Sequence, residues 1–192
     1  YNNLGTVYGD IGKPSDAVDC YARALRINPD FTAAHYNLIN AFIAADKLGE
    51  VTAYYHNVLH LQIDDAEIYH KIGEVLVSQD KTILAVEYFK KASKLAPTQP
   101  APAIWLARIF AKSSDPNVRD PNSAVIFAKR AAELTDYKDP AVLEILAQSY
   151  ASNNQFDLAA KTIEQAMSLA QPDRESAARL RELLLQYHQQ KP

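Results

Sequence analysis

LGTVYGDIGKPSDAVDCYARALRINP, residues 4–29, is the stretch whose reading decides the fold. Its chemistry returns after 34 residues and again after another 34. Leu4-Gly5 becomes Leu38-Ile39 and then Ile72-Gly73. Tyr8 becomes Phe42 and Leu76, and Ala17 becomes Val51 and Ala85. Tyr21 becomes Tyr55 and Phe89, Ala24 becomes Val58 and Ala92, and Pro29 becomes Ile63 and Pro97. A domain built round one core has no reason to repeat at a fixed interval. A stack of helical units does, because each unit buries its apolar face only against its neighbours. The expected fold is all-α, a solenoid of antiparallel helix pairs.

Within a unit the spacing is helical. Leu38, Phe42 and Ala45 mark a first helix at steps of four and three. Leu48, Val51, Tyr55, Val58 and Leu59 mark the second. The breakers fall between helices. Gly12-Lys13-Pro14 separates the first two, with Pro14 suited to a first helical turn, and Asn28-Pro29-Asp30 ends the second. Small residues have a packing role. Gly5, Gly73, Ala107 and Ala147 recur on first helices, and Ala17, Ala85, Ala124 and Ala159 on second helices. Close helix crossings need little volume there, and Tyr8, Tyr21 and Phe89 fill the space beside them.

This pattern resembles the tetratricopeptide repeat (TPR). That family places Leu-Gly, an aromatic, Ala, an aromatic, Ala and Pro at the offsets held by Leu4, Gly5, Tyr8, Ala17, Tyr21, Ala24 and Pro29. Ile72, Gly73, Leu76, Ala85, Phe89, Ala92 and Pro97 repeat the set. The second unit has Ile39 where the small residue belongs. The resemblance implies a right-handed superhelix. A fourth unit begins with Leu106, Ala107 and Phe110. From Gly5 to Ala17 is 12 residues but from Ala107 to Ala124 is 17, which puts five extra residues in the loop Ser113–Asn122. A fifth unit carries Leu146, Ala147, Tyr150, Ala159, Ile163 and Ala166. The expected organisation is five repeats over 1–171 (1–31, 32–65, 66–99, 100–138 and 139–171) and a capping helix over 172–192. On that helix Ala177, Leu180, Leu183, Leu184 and Tyr187 share one face. The C-terminal part is similar to the ends of bacterial TPR arrays.

Composition bounds the function. Apolar residues make up 48% of the 192, enough to fold. Twenty Lys and Arg stand against 23 Asp and Glu, for a net charge of -3. No basic run is longer than the two residues of Lys90-Lys91, which is no phosphate-tracking stripe, so nucleic acid is not the expected partner. No apolar run approaches the roughly 20 residues that span a bilayer. Cys20 stands alone, so no internal disulfide and no Cys-x-x-Cys site is expected. A single thiol fits a reducing, cytoplasmic compartment without fixing one. The chain opens within a repeat, as a piece of a longer protein would.

Catalytic signatures do not emerge. There is no phosphate loop, no Gly-x-Ser-x-Gly elbow and no His-Glu-x-x-His, and neither enzyme activity nor a cofactor is expected. His56 and His60 are one turn apart, a spacing that can hold a metal, but no third ligand accompanies them. Two solvent-facing residues are the expected outcome. The loop Asp115, Asn117, Asp120 and Asn122 lacks the order of a calcium loop. Asp120-Pro121 reads as a helix N-cap followed by Pro at the first position. Trp105 reads as packing between units, or as an aromatic platform in the groove.

The resemblance implies that first helices line a groove that takes extended peptides. By offset the groove side carries Asn2, Asn3, Thr6 and Asp10, then Tyr36, Asn37 and Asn40, then His70, Lys71 and Glu74. Ile104, Trp105 and Arg108 follow, then Glu144 and Gln148. Asn3, Tyr36, Asn37, Asn40, His70, Lys71, Glu74 and Arg108 are the expected peptide contacts. An amide donates and accepts, so Asn3 and Asn37 suit a peptide backbone. They look like the asparagine ladder in the repeats of O-linked N-acetylglucosamine transferases, with Lys71, Trp105 and Ile145 on the later rungs. Lys71 and Arg108 match only part of the carboxylate clamp of chaperone-binding relatives. The expected function is a protein-interaction scaffold with a protein or peptide partner. The substrate-presenting arm of a larger enzyme, such as a glycosyltransferase, is the alternative, and self-association of the array is a third reading.

Overall fold

A computed structural model describes residues 1–59, 64–169 and 174–190. Ile63, His60, Gln171, Pro172 and the side chain of Ala177 lie outside the described set. Eleven α-helices stand among the described residues. They are α1 (Asn2–Asp10), α2 (Pro14–Ile27), α3 (Thr32–Ala44), α4 (Val51–Asn57), α5 (Asp65–Ser78) and α6 (Thr82–Leu95). Then come α7 (Pro100–Lys112), α8 (Pro121–Leu134), α9 (Pro140–Ser152), α10 (Phe156–Leu169) and α11 (Arg174–Gln189). The chain divides into two compact units, Tyr1–Leu95 and Ala96–Pro192.

Local chemistry sets the helix ends. Pro14, Pro100, Pro121 and Pro140 open their helices, where a missing N–H costs nothing. The carboxylates of Asp64, Asp120 and Asp139 accept from backbone N–H groups of the first turn, which satisfies donors the helix leaves orphaned. Each early turn between paired helices uses a residue of positive φ: Gly12 (74°), Asp46 (56°) and Asp80 (57°). The next N–H returns to a carbonyl five residues back, Lys13 to Tyr8, Lys47 to Phe42 and Lys81 to Leu76. This left-handed closure keeps the same 34-residue step.

In the first unit α1 packs on α2, α2 on α3, and α5 on α6. At Gly5 an added Cβ would lie 2.5 Å from the Tyr21 ring, and at Gly73 2.6 Å from the Phe89 ring. The crossing glycines therefore seat aromatic rings, as the sequence spacing predicts. In the second unit α7 packs on α8, α8 on α9 and α9 on α10. Ala107, Ala124, Ala147 and Ala159 are fully buried. Leu180 and Tyr187 of α11 join that core, with Leu183 and Leu184 partly buried against it.

Two features depart from the sequence expectation. The second helix of the second pair is a 3-10 turn (Leu48–Glu50) followed by only the seven residues of α4, and Val58 is exposed. Leu4 is 47% exposed, whereas Leu38, Ile72 and Leu106 in its column are fully buried. Within the first unit α3 and α5 each pack against helices that precede them, and α1 has none within this chain. The insert loop is anchored, not loose: Val118 is buried and the Asp120 N–H donates to the Phe110 carbonyl.

Candidate functional site

In the first unit α1, α3 and α5 stand side by side. Polar side chains of one face link them. The Asn37 Nδ2 on α3 donates to the Asn2 Oδ1 on α1 at 3.0 Å. The Asn40 Oδ1 accepts from the Gln79 Nε2, just past α5, at 2.7 Å. The Tyr36 hydroxyl donates to the Glu74 Oε2. His70 Nε2 lies 3.5 Å from the other Glu74 oxygen. Lys71 pairs with Glu67 one turn earlier at 3.3 Å.

Electrostatics fix the roles. The hydrogen bond from His70, with that from Tyr36, holds the Glu74 carboxyl below the usual carboxylate range, against the opposing effect of burial. Burial pushes the Tyr36 phenol up to about 12, and the bond to Glu74 adds to it. Glu74 is thus an ionised acceptor and Tyr36 a protonated donor. The His70 Nδ1 is the one buried side-chain polar atom without a hydrogen-bond partner among the described residues. Its ring lies 5.4 Å from that of Phe89.

Beside Asn37 and Asn40 is a half-open pocket of about 400 Å³. Gly9, Gly12, Pro14, Ala17 and Tyr21 line it from the first helix pair. Asn37, Asn40, Ala41 and Ala44 line it from α3. An ideal Cβ at Gly9 would meet only the Tyr21 hydroxyl, at 4.0 Å.

The structure brings Asn37, Asn40, Tyr36, His70, Lys71 and Glu74 onto this face. Asn3 is exposed on α1, and its neighbour Asn2 makes the link to α3. Lys71 reaches this face paired with Glu67 of its own helix. Arg108 belongs to the second unit, exposed, with its guanidinium 5.7 Å from the half-buried Trp105 ring. In that unit Glu144 accepts from Gln148 and Arg179. Sequence reasoning missed Gln79 and the pocket. The glycine at position 9, where the next repeats carry Ile43 and Val77, was the signal available.

No group of three metal-ligating side chains occurs among the described residues. The His56 Nε2 lies 2.6 Å from Asp65, and α4 ends at Asn57, before His60. Among the described residues no helix is long and apolar enough to cross a membrane.

Comparison with known proteins places this geometry. Tetratricopeptide repeat models match residues 1–31, 66–99 and 141–173, together just over half of the chain. A stretch of 65 residues is 34% identical to the protein ycf37 of Pyropia yezoensis, covering 34% of this chain. The chain spans only about a third of that relative, 36% of its length. Among solved structures, YrrB, described as a TPR protein with an unusual peptide-binding site, superposes with a TM-score of 0.57 at 18% identity. The match covers 95% of this chain and 90% of that one. TTC0263, a TPR protein of Thermus thermophilus, gives a TM-score of 0.59 at 20% identity over 96% and 97% of the two chains. At these identities the likeness is one of fold.

Proposed function

This chain belongs to the tetratricopeptide repeat family, and on that premise we propose that its first unit binds an extended peptide segment of a partner protein. The protein is a binding scaffold whose contacts come from α1, α3 and α5. Asn3, Tyr36, Asn37, Asn40, His70, Lys71 and Glu74 form the contact set of the first unit, and Arg108 is a contact of the second unit taken by itself. We take the repeats as 1–31, 32–65, 66–99, 100–138 and 139–171.

One observation carries this reading. The cross-helix bonds use half of each amide. Asn37 gives its N–H to Asn2, which leaves its Oδ1 as an acceptor. Asn40 gives its Oδ1 to Gln79, which leaves its Nδ2 as a donor. The two residues are one turn apart on α3, close enough to act together. One acceptor and one donor complement the N–H and C=O of a peptide backbone, whatever its side chains.

A random peptide library displayed on phage, selected on residues 1–192, tests this. The best peptide is then titrated calorimetrically. Asn37→Ala is expected to weaken binding several-fold, since one hydrogen bond is worth about 0.5–1.5 kcal/mol, with little change in unfolding midpoint. Unchanged affinity in Asn37→Ala and Asn40→Ala, with a loss in Arg23→Ala on exposed α2 surface, would move the site off this face.

A further inference from the structure

We infer that the pocket at Gly9 is a specificity subsite that receives one apolar side chain of the bound peptide, the size of leucine or phenylalanine. The inference rests on the peptide reading above and adds to it which residue the groove selects.

At Gly9 the wall of the pocket lacks a side chain, and a Cβ built there would meet only the Tyr21 hydroxyl, at 4.0 Å. Position 9 lies four residues after the crossing glycine, Gly5. The same offset holds Ile43 in the second repeat, Val77 in the third, Ala111 in the fourth and Ala151 in the fifth. Only the first repeat leaves the place empty. Gly12 next to it has φ +74°, a conformation that excludes most side chains, so the turn adds none either.

The lining defines the occupant. Gly9, Pro14, Ala17, Ala41 and Ala44 offer carbon and no charge. The polar groups at the pocket are the amides of Asn37 and Asn40 and the Tyr21 hydroxyl. A volume of about 400 Å³ falls at the low end of the range for ligand pockets, and far exceeds the roughly 30 Å³ share of one water. It suits a side chain with part of its backbone. Asn37 and Asn40 both line the pocket, and we assign their free acceptor and donor to the peptide group of that residue. An apolar side chain seated in the pocket and a backbone held at its mouth is one residue of an extended chain.

The test uses two probes that carry the same peptide group, N-acetyl-leucine N-methylamide and N-acetyl-alanine N-methylamide. Each is titrated into ¹⁵N-labelled residues 1–192. The leucine probe is expected to shift Gly9, Gly12, Asn37 and Asn40 in a saturable way. The alanine probe is expected to bind about tenfold or more weaker, since each methylene in an apolar pocket counts for that order. Gly9→Ile fills the space with the residue found in the second repeat, and the open surroundings of its Cβ let the fold stand. Ala44→Leu closes the pocket from the exposed end of α3. Both are expected to abolish the leucine shifts.

No saturable shift, or leucine binding that survives in both variants, overturns the inference. Selected peptides that need Asn37 yet bind Gly9→Ile unchanged overturn the subsite and leave the peptide reading standing. Leucine binding with no peptide selected overturns the peptide reading and leaves the pocket.

Discussion

Gly73 shows what a single residue decides in this chain. A Cβ there would lie 2.6–2.8 Å from three atoms of the Phe89 ring, well inside contact distance. The ring is fully buried and cannot swing out without opening the core. Gly73→Leu is expected to cost about 1–3 kcal/mol, the usual range for overpacking. Urea unfolding reads it directly, and midpoints equal to wild type would show the helix register to be wrong. This constraint was legible in the sequence, because Gly5 and Gly73 share a column and Tyr21 and Phe89 share another. The polar links were not. Asn37 and Asn40 were recognisable as groove residues from their offsets, but their partners Asn2 and Gln79 come from packing between repeats. Periodicity says which face a residue is on and nothing about which amide hydrogen finds which oxygen.

At the scale of elements, apolar spacing predicted every helix but overstated one. Leu48, Val51, Tyr55, Val58 and Leu59 keep helical steps, yet the helix spans only Val51–Asn57. The segment carries Gly49, three β-branched residues and two tyrosines, all poor helix formers. Spacing records burial, and propensity decides how far the backbone follows it. The terminal helix shows the opposite case. Leu180 and Tyr187 of α11 are 3% and 4% exposed, and Leu183 and Leu184 pack beside them against the α9–α10 core. Arg179 ties α11 to Glu144 of α9. We propose that α11 covers the apolar face of the α9–α10 pair. Deleting residues 173–192 is expected to uncover a contiguous apolar surface and cause self-association. Light scattering with sizing chromatography checks this, and a truncated chain that stays monomeric with unchanged thermal stability refutes it.

Across the whole molecule the helices do not hold with equal strength. In a repeat stack each pair gains stability only from its neighbours, so a short helix is a local weak point. That point is α4, seven residues long against 13 or 14 in α3, α5 and α6. One of its anchors is a buried histidine. His35 on α3 is 3% exposed. Its Nε2 lies 2.6 Å from the Pro29 carbonyl and its Nδ1 2.9 Å from the Tyr55 hydroxyl of α4. The two rings also stack, 5.5 Å apart. The carbonyl only accepts, so Nε2 carries the proton, and Nδ1 accepts from Tyr55. Burial lowers the His35 pKa below its ordinary value near 6.5, with Lys71 adding to the effect and the Pro29 bond, Glu67 and Asp30 opposing it. The opened state binds a proton more readily than the closed one. The stabilisation is therefore complete above about pH 6.5 and is lost as pH falls from there toward the folded pKa. Hydrogen exchange, corrected for the intrinsic rate, is expected to show α4 opening more readily than α3, α5 and α6 at pH 7.5. Between pH 7.5 and 5.5 the opening of α4 should become easier, at most about tenfold for each unit by which the His35 pKa is depressed. His35→Gln, which does not titrate, should remove that pH dependence while α4 stays the weakest helix. A pH effect that persists in His35→Gln would place the titrating group elsewhere, and an α4 as well protected as α5 would show that this stack shares its stability evenly.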